Sequence, residues 1–192
     1  MSDIDERWQG YDEDGLPNNR ALERDEAYDG SLHGAAHVWM WRVSDGVIEV
    51  VLQYRALAKQ TWPGLWDISA AGHIDFGETP IAAAIRETSE ETGVSVDQKM
   101  LKLLYVFRVY LEADGEKKRV ENEFQFVYGC RLEKDQVFTM QDGEVEQMMW
   151  VTIDEFETIV AGKDYQERHI VPHPKEYFAC LLREIRRQAA EE

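Results

Sequence analysis

Two periodicities alternate along the chain, and their succession outlines a fold. From Ala36 to Val43, the residues Val38, Met40 and Arg42 alternate with Trp39, Trp41 and Val43, the period of two expected of a strand. Asp45-Gly46 then marks a tight turn, and Val47 to Tyr54 reads as the second arm of a hairpin. Gly64 to Ala71 and Ile74 read as short extended pieces bounded by glycines. After them the period changes. Thr79 is a good N-cap, Pro80 suits the first helical position and Gly93 the C-terminal stop, which together predict a helix over 80–92. Leu101 to Leu111 and Val120 to Leu132 flank Asp114-Gly115 and predict a long two-stranded ribbon. Met148 to Val151 is a further short strand, and Thr152 with Glu155 forms a capping-box pattern for a helix ending near Gly162. A last helix, from about Pro174 to Ala190, carries Phe178, Leu181, Leu182, Ile185 and Ala189 on one stripe. That stripe suits packing on the domain or against a second copy, so a monomer and a homodimer are both expected forms. Residues 1–30 are acidic and punctuated by Asp14-Gly15, Leu16-Pro17 and Asp29-Gly30. They read as an arm packing on the domain, with a hairpin around Asp14-Gly15. The pattern predicts an α/β (α+β) sandwich with a mixed sheet.

Composition narrows what such a domain does. With 192 residues, of which 44% are hydrophobic, the chain can bury a sizeable core as one domain. Its 21 basic and 38 acidic residues give a net charge of −17. This acidity argues against general affinity for nucleic acid or anionic membranes, because phosphates would be repelled. It is compatible with phosphate chemistry if divalent cations stand between carboxylates and substrate. Two cysteines, Cys130 and Cys180, do not make a disulfide framework, which favours a reducing compartment. The first residues lack an apolar run, and no stretch has the ~18 apolar residues of a membrane span. The expectation is a soluble, cytoplasmic protein.

The candidate chemistry sits in one segment, from Gly72-His73-Ile74-Asp75-Phe76-Gly77-Glu78 through Arg86-Glu87-Thr88-Ser89-Glu90-Glu91-Thr92-Gly93-Val94. Glu87, Glu90 and Glu91 are three and four apart, so a helix puts them on one face. Three like charges there destabilise the helix unless a cation bridges them. Grouped carboxylates are hard oxygen ligands, suited to Mg²⁺ or Mn²⁺ that also grips phosphate oxygens. An acidic helix face by itself is more often simply solvated.

The surrounding positions change that balance. Gly72, Glu78, Arg86, Glu87, Glu90, Glu91, Gly93 and Val94 fit the pattern G-x5-E-x7-R-E-U-x-E-E-x-G-U, where U is bulky and apolar. The segment resembles the Nudix box, the signature of the Nudix hydrolase superfamily. One position departs: Thr88 stands where that family usually has an aliphatic residue, which implies a small packing adjustment. The resemblance implies a loop–helix–loop within an α/β/α sandwich, a domain over 31–165 and a C-terminal helix over 166–192 belonging to it. It implies Mg²⁺-dependent cleavage of a diphosphate joined to another group, in a nucleoside diphosphate or a related small molecule. By position, Glu87, Glu90 and Glu91 resemble the metal ligands, with the Gly72 carbonyl as a further one, while Glu78 and Arg86 resemble a structural salt bridge. Glu91, Glu144 and Glu146 are the candidates for the general base, and the sequence does not choose among them.

Outside the box the chain is similar to the isopentenyl-diphosphate isomerase-like branch. Leu32-His33, Ala36-His37-Val38-Trp39, Gln53-Tyr54-Arg55-Ala56-Leu57-Ala58-Lys59, Trp62-Pro63-Gly64-Leu65-Trp66 and Glu121-Asn122-Glu123 carry that likeness. It implies a second metal cluster of His33, His73, Glu121 and Glu123, and diphosphate contacts from Arg55 and Lys59. Two departures oppose isomerisation. The isomerase cysteine belongs directly before the Gly-His pair, where this chain has Ala71, and a methyl group transfers no proton. The hydrolase carboxylates Glu87 and Glu90 are also both present, whereas isomerases lack them. Hydrolysis is the expected activity, isomerisation the alternative, and a non-catalytic binding domain a third. Trp39, Trp41, Trp62, Trp66 and Phe107 are candidates for stacking on a substrate base or for the core.

Overall fold

The computed structural model describes residues 7–113, 119–162 and 169–191. Among the described residues there are nine strands and four helices: β1 (Arg7–Tyr11), β2 (Pro17–Glu23), α1 (Arg24–Tyr28), β3 (His33–Ser44), β4 (Val47–Arg55), β5 (Trp66–Asp67), β6 (Ala70–His73), α2 (Pro80–Thr92), β7 (Leu101–Ala113), β8 (Arg119–Arg131), β9 (Val145–Thr152), α3 (Ile153–Ala161) and α4 (Lys175–Ala190). The central strand is β3. One end pairs antiparallel with β6, Ala35 opposite His73 and His37 opposite Ala71. Its other end pairs antiparallel with β4. Along its length it runs parallel to β8, from His33 opposite Glu123 to Trp41 opposite Arg131. The sheet is therefore mixed, as the sequence pattern predicts.

Alternation on β3 decides what each face buries. Trp39 and Trp41 point to the face covered by α3 and α4, into a core with Phe156, Tyr177, Phe178, Leu181 and Ile185. Ala36, Val38 and Met40 point to the opposite face, where Ala83 and Ala84 of α2 press close to the sheet. Trp39 and Trp41 are thus core residues, because their strand is covered on both sides. Phe107 and Trp66 are partly buried against the same cluster. Of the five aromatic candidates for stacking, Trp62 alone lines the large cavity described below.

Helix α2 is set by local chemistry. Thr79 Oγ1 accepts from the Ala82 N–H at 3.4 Å, Pro80 occupies the first turn, and Gly93 ends the helix at φ 69°. A side chain at Gly93 would also meet Thr139 Cβ at 2.8 Å. Helices α3 and α4 begin and end close to the sequence expectation, α3 with the Thr152–Glu155 capping box in place. The Asp114-Gly115 turn lies outside the described residues.

The N-terminal arm is more structured than its composition suggests. The turn around Asp14-Gly15 is present: Asp12 Oδ1 accepts from Asp14 N at 3.0 Å and Leu16 N at 2.9 Å. Strands β1 and β2 extend from it, and the capped helix α1 follows, with Trp8, Leu22, Ala27 and Tyr28 forming a small core. Strand β1 also docks on the loop between β6 and α2. Gln9 N donates to Ile74 O at 2.7 Å, Phe76 N to Arg7 O at 2.8 Å, and Gly77 N to Gln9 Oε1 at 3.0 Å.

Thr88 is the departure from the motif. It is fully buried, and its hydroxyl has no hydrogen-bond partner among the described residues. We expect Thr88→Val to stabilise the protein by about 1 kcal/mol, since the isosteric methyl removes an unpaired buried hydroxyl. Urea unfolding checks this; a lower midpoint for the variant would show that the hydroxyl is satisfied after all.

Candidate active site

Strands β3, β6 and β8, helix α2 and the N-terminal arm enclose a cavity of about 930 Å³. The segment singled out in the sequence supplies one wall. Glu87, Glu90 and Glu91 all line it, as does Gly72. Glu90 is the exposed member, with 52% of its side chain accessible, whereas Glu91 is buried. Glu91 Oε2 accepts from the Ala71 N–H at 2.9 Å and from Gln53 Nε2 at 3.2 Å. Burial, and the negative charge of Glu87, push the Glu91 carboxyl up to about 8. Gly72 sits so close to Glu87 that a side chain there would displace the Glu87 carboxylate.

Arg86 ties the motif together. Its guanidinium reaches Glu78 Oε2 at 2.9 Å and Oε1 at 3.2 Å, Glu87 Oε1 at 2.6 Å, Glu90 Oε2 at 3.4 Å and the His73 carbonyl at 3.0 Å. The Glu78–Arg86 pair spans the loop and α2, and Arg86 reaches two further carboxylates as well.

The residues implied by the second likeness occupy other walls. His33 Nε2 and His73 Nε2 lie 3.3 and 3.4 Å from the same oxygen of Glu123. His33 Nδ1 faces the Ser31 carbonyl at 2.8 Å, which fixes the ring. His33, His73 and Glu123 have ligand atoms mutually within 4.8 Å; Glu121 lines the cavity outside that set. Burial, together with the Glu123 charge, raises Glu121 to about 8. Burial also drives His73 down to about 4, whereas for His33 the Glu123 carboxylate outweighs burial and raises it. Arg55 donates to Asp67 Oδ2 at 2.9 Å and to the Thr61 carbonyl at 2.9 Å, and Lys59 pairs with Glu144. Glu144 lines the cavity; Glu146 instead accepts from the Leu57 N–H at 3.2 Å.

Several cavity residues were not anticipated from sequence. Trp8 stacks on His73, with centroids 3.4 Å apart and planes 12° from parallel. Arg24 lines the cavity, its Nε buried and without a hydrogen-bond partner, and it makes no ion pair among the described residues. Asp67, His37 and Gln125 are buried, and the partly buried His173 joins them in one polar region of the cavity. Burial pushes Asp67 upward, but His173 and Arg55 outweigh it and hold the carboxyl at about 2. The folded value lies below the unfolded one of about 3.8, so Asp67 stabilises the fold above about pH 4 and loses that contribution as pH falls through 2. We expect about 2 kcal/mol of stability to disappear across that window. Asp67→Asn should flatten this acid limb in pH-dependent unfolding; an unchanged slope would remove Asp67 from the account.

Fold and site together define a Nudix-type domain, and comparison with known proteins agrees. The NUDIX domain family matches residues 32–174, and the chain belongs to it. Nudix hydrolase 3 of Arabidopsis thaliana is 35% identical over 140 residues, which cover 71% of this chain and 18% of that protein. An isopentenyl-diphosphate Delta-isomerase of Corynebacterium diphtheriae is 32% identical over 142 residues, covering 73% of this chain and 75% of the relative. Among solved structures, DR0079 of Deinococcus radiodurans superposes with a TM-score of 0.65 at 20% identity, covering 95% of this chain and 98% of the other, a likeness of fold. Among the described residues, no helix is long and apolar enough to cross a membrane.

Proposed function

We propose that this chain is a Mg²⁺-dependent hydrolase of a diphosphate linkage, acting on a nucleoside diphosphate joined to another group or on a related organic diphosphate. The observation that carries the reading is the buried carboxylate of Glu91 beside Glu87 and Gly72. Two acidic side chains share one wall; Arg86 offsets the charge of Glu87 only in part, since Glu91 is still raised by burial and by Glu87, and the donor set is all oxygen, which fits Mg²⁺ or Mn²⁺. Glu87, Glu90, Glu91 and the Gly72 carbonyl would hold the ion. Bound there, it would polarise a phosphoryl oxygen and acidify a water.

The chain's own residues supply positioning. Arg55 is fixed by Asp67 and Thr61 and offers a rigid cation to the diphosphate, with Lys59 and Arg24 on neighbouring walls. Glu91 and Glu144 line the cavity and remain the candidates for the base; Glu146 is engaged with backbone outside it. His33, His73 and Glu123 would take a second cation, with Glu121 nearby. That cluster also favours the alternative of isopentenyl-diphosphate isomerisation, against which stands Ala71, a methyl group whose N–H is already given to Glu91.

The test is phosphate release from nucleoside di- and triphosphates, nucleotide sugars, dinucleotides and isopentenyl diphosphate, with Mg²⁺ or EDTA and a coupling phosphatase. Metal-dependent release from any of them supports hydrolysis. Silence across the set, together with proton exchange into isopentenyl diphosphate, would replace it by the isomerase.

A further inference from the structure

We propose that His37, with Gln125 beside it, binds a hydroxyl-bearing, sugar-type group on the non-phosphate half of the substrate, and so sets specificity against prenyl diphosphates. This rests on the hydrolase reading above and concerns the part of the cavity lined by β3 and β8.

Sheet register places the two side chains together. His37 on β3 lies opposite Val127 on β8, and Gln125 lies opposite Ala35, so His37 and Gln125 are diagonal neighbours on one face. The residues opposite them are small: Ala35 is beside Gln125, and Ala71 is across from His37 on β6. All four line the cavity, and His37 and Gln125 are 5% and 3% exposed.

Hydrogen bonding fixes which atoms are on offer. Trp39 Nε1 can only donate, and it donates to the Tyr177 hydroxyl at 2.9 Å. The hydroxyl's own proton then goes to His37 Nδ1, also at 2.9 Å. The neutral His37 ring therefore carries its proton on Nε2, a donor with no acceptor among the described residues. Gln125 is oriented as firmly. Its Nε2 donates to Glu123 Oε2 at 3.1 Å, and a flipped amide would set oxygen against carboxylate. Its Oε1 is buried without a hydrogen-bond partner among the described residues.

A donor and an acceptor held side by side suit a group that both accepts and donates, which is what a hydroxyl does. The neighbouring Asp67 and His173 make the surroundings more polar still. An alkyl chain in the same place would bury these groups unpaired and bind correspondingly worse.

The probes are ADP-ribose, UDP-glucose, ADP and isopentenyl diphosphate, with the intact 192-residue chain and Mg²⁺. Turnover is followed in wild type, and binding by calorimetry in Glu91→Gln, so that a failure of hydrolysis is separated from a failure of recognition. We expect a sugar-bearing probe to be preferred over isopentenyl diphosphate by at least about tenfold in one or both assays. His37→Leu should lower the ratio of ADP-ribose to ADP about tenfold, in KM or Kd rather than kcat, whereas His37→Gln, which keeps an N–H, should retain it. Gln125→Leu gives the same reading if His37→Leu does not fold. Preference for isopentenyl diphosphate, or equal ratios in the leucine and glutamine variants at His37, would overturn the assignment, whether or not any probe is hydrolysed.

Discussion

Glu91→Gln is expected to abolish Mg²⁺-dependent hydrolysis, by at least about a thousandfold, while leaving the metal-free fold more stable than wild type. The two effects have one origin. Glu91 is buried beside Glu87, and its carboxyl is pushed up to about 8. A folded value above the unfolded one means that the group destabilises the native state increasingly as pH rises from about 4.5 to about 8. Near neutral pH the neutral amide should therefore recover on the order of 1–3 kcal/mol. Glutamine keeps the acceptor for the Ala71 N–H, so the local backbone needs no rearrangement. The measurement is a pair of melting curves, with and without Mg²⁺, beside the activity assay. Mg²⁺ should raise the melting temperature of wild type and move the variant much less. An active Glu91→Gln enzyme would displace the metal face assigned to α2. A variant less stable than wild type would show that repulsion in this cluster is relieved from within the protein.

The second large effect concerns Arg86. Its guanidinium touches Glu78, Glu87, Glu90 and the His73 carbonyl. Burial opposes its charge, but the carboxylates around it outweigh burial and hold the guanidinium firmly protonated. Arg86→Gln should cost about 3 kcal/mol or more, since it leaves Glu78 and Glu87 partly buried without their counter-charge. Glu78→Gln removes one carboxylate of the cluster and should cost less, with Mg²⁺ affinity largely retained. Denaturant midpoints of the two variants check this order. If they fall together, Arg86 acts through the Glu78 pair alone.

How much of this was legible in the chain depends on how local each signal is. The bounds of α2 are written by three neighbouring residues, Thr79, Pro80 and Gly93, and the β3–β4 hairpin by Asp45-Gly46 between alternating arms. The motif residues were legible because one helix and its leading loop carry them at fixed spacing. Helix α1 was missed: its capping box uses Glu23 and Glu26, an unusual N-cap choice, and it lasts five residues. Trp39 and Trp41 looked like candidates for either core or ligand, and only the helices on their face assign them to the core. His37, Asp67, Gln125 and His173 could not be grouped beforehand. Each is a single polar residue on a different segment, and it is the register of β3 with β8, and the return of the chain after α3, that bring them together.

The parallel pairing of β3 with β8 has a consequence for how the molecule is made. The middle strand of the sheet is synthesised early, yet its partner arrives only after α2 and β7 have been translated. Until then Trp39 and Trp41 lack β8 on one side and α4 above them, although β4 already pairs with Trp41 on the other. Loop closure over so long a separation is slow, and the waiting strand is apolar on both faces. Nascent chains of this protein should therefore spend longer exposed to chaperones, and to one another, than their modest length would suggest.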